Sequence, residues 1–321
     1  MSFYYFPYCI KCLDFMHPNA RKAAENLFRF FFNPSFRHRF ERIILSLSIG
    51  SFLFHLLLIF LHDLQWVDFG QSADELFISP ITAIYTPFSF ILVYEVYMLV
   101  YHLPDSFTIS IGKQYEIISL IVVRRIFKDI SKLDISEEWG SSYRNQLLGA
   151  DMLCILLLFG LIFWFYKLRQ QRPRLKQPSN IDEFVVKKKG ISGLLAPILF
   201  VLAIYSFSSW LLDLQQFNVG QLEELPDINK VFYNEFFTLM ILFDVLILMI
   251  SLQYTDNYSQ LIRNAGFVIS TVLIRLSFTA EGLFNPVLIT IGVLFGTLML
   301  ALYNKMGRLE AERANESREL T

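Results

Sequence analysis

Two long stretches of the chain, residues 43–112 and 190–229, contain no lysine and no arginine. An apolar protein that withholds cations from part of its length is sorting its loops between two sides of a membrane. Only three of the 321 residues are cysteine: Cys9 and Cys12 in a C-x-x-C near the start, and Cys154 inside an apolar run. A disulfide framework is thereby excluded, and a C-x-x-C with only His17 nearby falls short of the four ligands of a structural zinc site. No Gly-rich phosphate loop, G-x-S-x-G elbow or H-E-x-x-H occurs, and no stretch between the apolar blocks could fold as a separate catalytic domain. The chain is therefore not read as an enzyme, and no cofactor, metal or nucleic acid is expected.

What is present is grease. The sequence is 54% hydrophobic and includes 33 phenylalanines. Residues 43–61, 152–166, 191–212 and 286–304 carry no formal charge. A bilayer's hydrocarbon layer is about 30 Å thick and a spanning helix needs about 20 apolar residues. These blocks predict an all-α polytopic membrane protein. Basic residues gather instead at 1–42, at 167–190 (Arg172, Arg174, Lys187, Lys188 and Lys189 among them) and in the tail. Lys/Arg-rich short loops mark the cytoplasmic side, so both termini and the central linker are placed inside, with the plasma (inner) membrane as the location. The aromatic and basic residues of 1–42 suit an amphipathic segment in the headgroup zone. The tail, 305–321, mixes charge signs at helical spacing and reads as an extension of the last helix.

The chain also repeats itself. Asp63, Gln65, Gly70 and Gln71 return as Asp213, Gln215, Gly220 and Gln221. Glu95 in the next apolar segment is answered by Asp244, Lys113 by Arg263, and Arg125 by Arg275. The offset holds at 149 to 150 residues, across loops as well as helices, which indicates tandem duplication. The predicted organisation is two membrane repeats, 43–166 and 191–304, joined by the cytoplasmic linker. Eight transmembrane helices as two parallel four-helix repeats return a cytoplasmic start to a cytoplasmic linker. A six-span alternative lays the third segment of each copy, 109–133 and 265–283, at the interface. It would invert the repeats and put the lysine-rich linker outside, against the charge bias.

Ionisable groups in hydrocarbon are expensive and must face a partner or a water-filled cavity. Glu95 and Asp244 lie at matching depth in the second segment of each copy. Arg125, with Arg124 beside it, and Arg275 are the predicted partners. Such pairs can line an ion or proton path, or simply fix helix register. His55, mid-span in the first helix, has Tyr205 at its repeat position, and the two could extend a polar relay. The Asp63/Gln65/Gly70/Gln71 loop and its copy read as turn chemistry or as a cation-attracting outer vestibule. An acid on one helix and a base on a later one, four helices per unit, resembles voltage-sensor domains in outline. Those domains carry arginines at every third position of their last helix, whereas the second copy here has a lone Arg275, and about 2.3 kcal/mol per charge per 100 mV gives no steep response. The expected function is transport or ion permeation, and the alternative is a non-transporting scaffold or sensor subunit. The implied partners are the bilayer and a small ion or proton, with assembly into a homo-oligomer left open.

Overall fold

A computed structural model of the chain describes residues 28–64, 80–130, 143–171, 228–254, 257–280 and 282–319, together with 188, 190–195, 197, 198, 201, 202 and 205. Among these residues the protein is all-helical. In chain order the long helices are α1 (Pro34–Asp63), α2 (Tyr85–Tyr101, preceded by the 3-10 turn Pro80–Ile84), α3 (Phe107–Ile130), α4 (Tyr143–Gln170), α5 (Ile228–Leu252), α6 (Tyr258–Ser277) and α7 (Phe284–Glu319). Cys9, Cys12 and His17, the loop residues Gln65, Gly70, Gln71, Asp213, Gln215, Gly220 and Gln221, and most of the linker and of 191–212 lie outside the described residues.

Local chemistry sets several of the ends. Asn33 caps α1 by accepting from the Ser35 amide at 2.9 Å, with Pro34 at the first helical position, where its missing N–H costs nothing. The helix therefore begins nine residues before the predicted span and carries Arg37, Arg39 and Arg42 on its first turns. Asn257 caps α6 in the same way, accepting from Ser259 and Gln260. Between α6 and α7 the chain turns at Gly282, whose φ of 63° suits a residue without Cβ. The last helix does not stop at the membrane edge: its 36 residues run on through the mixed-charge tail.

Three of these helices have spans long and apolar enough to cross a membrane: Pro34–Asp63, Asn145–Gln170 and Phe284–Glu310. Thr86–Tyr101 and Phe236–Leu252 are shorter apolar helices. The side chains facing away from the protein are large and greasy, including Leu53, Phe54 and Phe60 on α1 and Leu156, Phe159 and Phe163 on α4. Contiguous apolar surface on that scale is foreign to water-soluble monomers and points to a membrane-embedded protein.

The interior is the opposite. The amphipathic helices α3 and α6 sit in the middle, each turning polar residues inward. Buried on α6 are Arg263, Asn264, Ser270, Thr271, Arg275 and Ser277; buried on α3 are Thr108, Ser110, Gln114 and Ser119. Packed among them are Tyr115, Phe165 and Phe267, with ring centroids 5.2 and 6.1 Å apart along that chain. The α6–α7 approach is close because Gly292 has no side chain, and a Cβ there would come within 2.8 Å of Ile274. Without a hydrophobic driving force between helices in lipid, such small-residue contacts and interhelical hydrogen bonds supply the association energy. Tyr115 and Ser270 hydroxyls meet at 2.6 Å across α3 and α6, and Ser270 in turn donates to the Gly292 carbonyl at 2.6 Å.

Candidate functional site: three arginines and their acids

Arg124 and Arg275 occupy equivalent places, each seventeen residues beyond the first residue of its helix (Phe107 to Arg124; Tyr258 to Arg275). Each faces the acid of the preceding long helix. Arg124 Nη2 lies 3.5 Å from Glu95 Oε2, and Arg275 Nη1 lies 2.5 Å from Asp244 Oδ2. All four side chains are nearly buried, with Arg275 only 2% exposed.

The surroundings of the two pairs differ. Asp244 also accepts from the Thr271 hydroxyl at 3.0 Å, one helical turn before Arg275 on the same face. Arg275 donates a further bond to Gln114 Oε1 at 3.1 Å, so the first half of the chain helps hold the charge of the second. Glu95 has no comparable support. Its Oε2 is buried without a hydrogen-bond donor, and Arg124 directs Nη1 to the Phe88 carbonyl at 3.1 Å.

Arg125 is placed elsewhere than the sequence predicts. Successive helical residues point about 100° apart, so when Arg124 faces α2 its neighbour faces α4. There Arg125 makes a two-pronged contact with Asp151, at 2.6 and 2.7 Å, and also donates to Asn285 Oδ1 at the start of α7. The parallel, bidentate fit is the strong form of this interaction. Asp151 is 1% exposed on its side chain. Sequence reasoning passed over it, although charge balance held a signal: two adjacent arginines entering an apolar segment with one acid opposite leave a cation to be matched.

The relay residues are not brought together. His55 is buried with Nδ1 2.5 Å from Thr86 Oγ1. Thr86 precedes Glu95 by nine residues, about 14 Å along α2 and on its opposite face. Tyr205 is 64% exposed, so the two repeat positions have different surroundings. Asp63 is the last residue of α1 and the only member of the outer set among the described residues. Of the matched basic pair, Lys113 is half-exposed and bonds Glu116 at 2.7 Å, whereas Arg263 is buried over the Tyr303 ring at 4.4 Å and held by Asn264.

One further charge was not anticipated. Lys188, from the basic linker, is 3% exposed; its Nζ donates to the Asp105 carbonyl at 2.5 Å and lies 4.5 Å from the centroid of the Phe107 ring. Burial pushes its ammonium pKa down to about 8, against the opposing pull of Asp244 and Asp105. Asp105 also takes part in a 2.9 Å contact with His102, in the turn that joins α2 to α3.

This arrangement can hold charge away from water, and one of its acids can accept a proton without breaking a hydrogen bond. Among the described residues no three His, Cys, Asp or Glu side chains converge to hold a metal ion. No protein-family model matches the chain, and no curated protein or solved structure is detectably similar to it.

Proposed function

We propose that the protein is an integral membrane transport or ion-permeation protein of the plasma membrane, with Glu95 as its working acid. The observation that carries this reading is the buried, donor-free Oε2 of Glu95, 3.5 Å from Arg124. A carboxylate kept out of water yet left incompletely satisfied is expensive to maintain, and intramembrane ionisable groups of this kind mark ion paths and proton relays. The polar interior formed by α3 and α6 supports it as well.

In this proposal α1 to α4 form one four-helix repeat. The segment 191–212 with α5, α6 and α7 forms the second, in the same orientation. Both termini and the linker are cytoplasmic, and α3 and α6 are spans whose polar faces are tolerated because the other helices surround them. The matched positions of Arg124 and Arg275 favour the duplication. The test is flux through purified protein in liposomes, across a panel of ions and a pH gradient. Glu95→Gln should abolish flux while leaving the elution volume and helical content unchanged. Normal flux in that variant removes Glu95 from the mechanism.

A second reading, a non-transporting scaffold or sensor subunit, is favoured by one observation: Asp244 and Arg275 form a close ion pair supported by Thr271 and Gln114, as a structural clamp would be. It predicts that liposomes pass no tracer, and that exchanging the charges (Glu95→Arg with Arg124→Glu) restores assembly lost in either single variant.

A further inference from the structure

Glu95 and His102 lie seven residues apart in and just beyond α2, two helical turns along one face and about 10 Å apart along the axis. His102 is buried, at 8% exposure, and its Nδ1 is 2.9 Å from Asp105 Oδ2. Asp105 has a side chain 43% exposed, at the end of the bundle where the linker arrives. Three titratable groups thus run inward from solvent in order: an accessible carboxylate, a buried imidazole, then a buried carboxylate lacking a donor. An imidazole with two nitrogens can take a proton on one and release it from the other, and an acid bonded to one nitrogen fixes the tautomer.

The other charges around these groups are compatible with that role. Facing Glu95 from α3 is Arg124. On the α1 side, Tyr97 of α2 donates to the Phe31 carbonyl at 2.7 Å and Arg37 lies 5.1 Å from the centre of the Tyr101 ring, which itself stands edge-on to His102 at 5.2 Å. Facing the His102–Asp105 turn from the linker is Lys188, and Asp244 of α5 is the acid within its electrostatic reach. Lys188 bonds the Asp105 backbone, which leaves the Asp105 carboxylate to His102. Among the described residues no acids gather around Glu95 to form an oxygen cage for a metal cation; it faces a guanidinium instead.

We infer that the species bound at Glu95 is a proton, and that His102 and Asp105 are its port from the linker side of the bundle. This rests on the transport reading for its purpose and deepens it by naming the ion. In each transfer a proton passes from Asp105 to His102, the imidazolium gives up a proton to Glu95 through water, and the neutral acid later releases it. No other bond is made or broken.

The test does not depend on flux. Infrared spectra of the full chain in lipid, taken across a pH series, should show a protonated-carboxyl band that is absent in Glu95→Gln and present, slightly moved, in Glu95→Asp. After a pH jump, His102→Ala should reach the same final band intensity but about tenfold or more slowly, as expected on losing a proton-transfer group. Added imidazole should restore the rate, which it would not do for a merely structural histidine. A band that survives Glu95→Gln, or no titrating band at any pH, overturns the proton site. A His102→Ala variant as fast as wild type, or one that imidazole does not rescue, overturns the port. Liposomes that pass a metal cation without pH dependence, with no Glu95 band, leave transport standing and sink this inference. Silent liposomes with a titrating Glu95 band do the reverse.

Discussion

The Glu95–Arg124 and Asp244–Arg275 pairs stand at the same position in the two halves of the chain and are built to different standards. In the second half the acid has a guanidinium at 2.5 Å, whose facing Arg275 Nη1 makes no directed hydrogen bond, and one hydroxyl donor, Thr271 at 3.0 Å, and Arg275 also donates to Gln114 from the other half. In the first half the ions stand 3.5 Å apart and the acid's Oε2 has no hydrogen bond. A pair in low dielectric recovers its desolvation cost only when geometry is good and the remaining lone pairs are satisfied. By that criterion the Asp244–Arg275 pair is the better satisfied of the two and the Glu95–Arg124 pair the looser.

The comparison can be broken most severely at the clamp. Asp244→Ala leaves the Arg275 guanidinium buried with only Gln114 to receive it, and such losses cost about 3–5 kcal/mol. The variant should unfold early in a denaturant titration in mixed micelles. Removing both charges (Asp244→Leu with Arg275→Met) should return most of that stability, because apolar pairs of similar volume replace buried ion pairs well. A double variant as unstable as the single one would show that Thr271 and Gln114, not the charges, do the holding.

Next in size is Asp151→Ala, which strands Arg125. Its guanidinium side chain is 25% exposed and keeps Asn285, so the expected loss lies at the low end of about 3–5 kcal/mol. Glu95→Gln should be smaller still, about 1–2 kcal/mol, since the amide abolishes one loose ionic contact and Arg124 retains the Phe88 carbonyl. The same denaturant titration ranks all three. If Glu95→Gln cost as much as Asp244→Ala, the two pairs would be energetically alike and the contrast between a tight and a loose pair would fail.

These residues also show where sequence reasoning reaches and where it stops. Glu95, Asp244 and Arg275 were legible because a charge inside an apolar run is costly and a second copy repeated it at a fixed offset. The choice between Arg124 and Arg125 was not, since adjacent residues leave a helix in different directions and only the helix's rotation against α2 selects one. The 150-residue offset itself favoured the wrong neighbour: Arg125 matches Arg275 by counting, yet Arg124 matches it by distance from the helix start. Asp151 was passed over although the predicted fourth span, 147–166, contains it, because the charge-free run that drew the reading starts just beyond it; α4 begins eight residues earlier, at Tyr143. The hydrogen bonds that cross from α3 to α6, Gln114 to Arg275 and Tyr115 to Ser270, join residues more than 150 positions apart, and no local pattern announces them.

The smallest expected effect concerns Lys188, the cation that approaches Asp244 from the linker and has no counterpart established beside Glu95. Its pKa falls from the ordinary lysine value of 10.5 to about 8 because burial disfavours the ammonium. Between those two pH values the unfolded chain binds more protons at this position than the folded one, so stability should rise with pH across that window. Below pH 8 the cost of burying the ammonium is fully present, and above 10.5 it has gone. Tyrosines and other lysines titrate in the same range, so the quantity to measure is the difference in melting temperature between wild type and Lys188→Met. Methionine keeps the length of the stem without the charge, so it should be the more stable protein near pH 7, and its advantage should shrink steadily from pH 8 to pH 10. A difference that stays flat would mean that Lys188 reaches water in the folded protein, and the second acid site would then be open to solvent on its linker side.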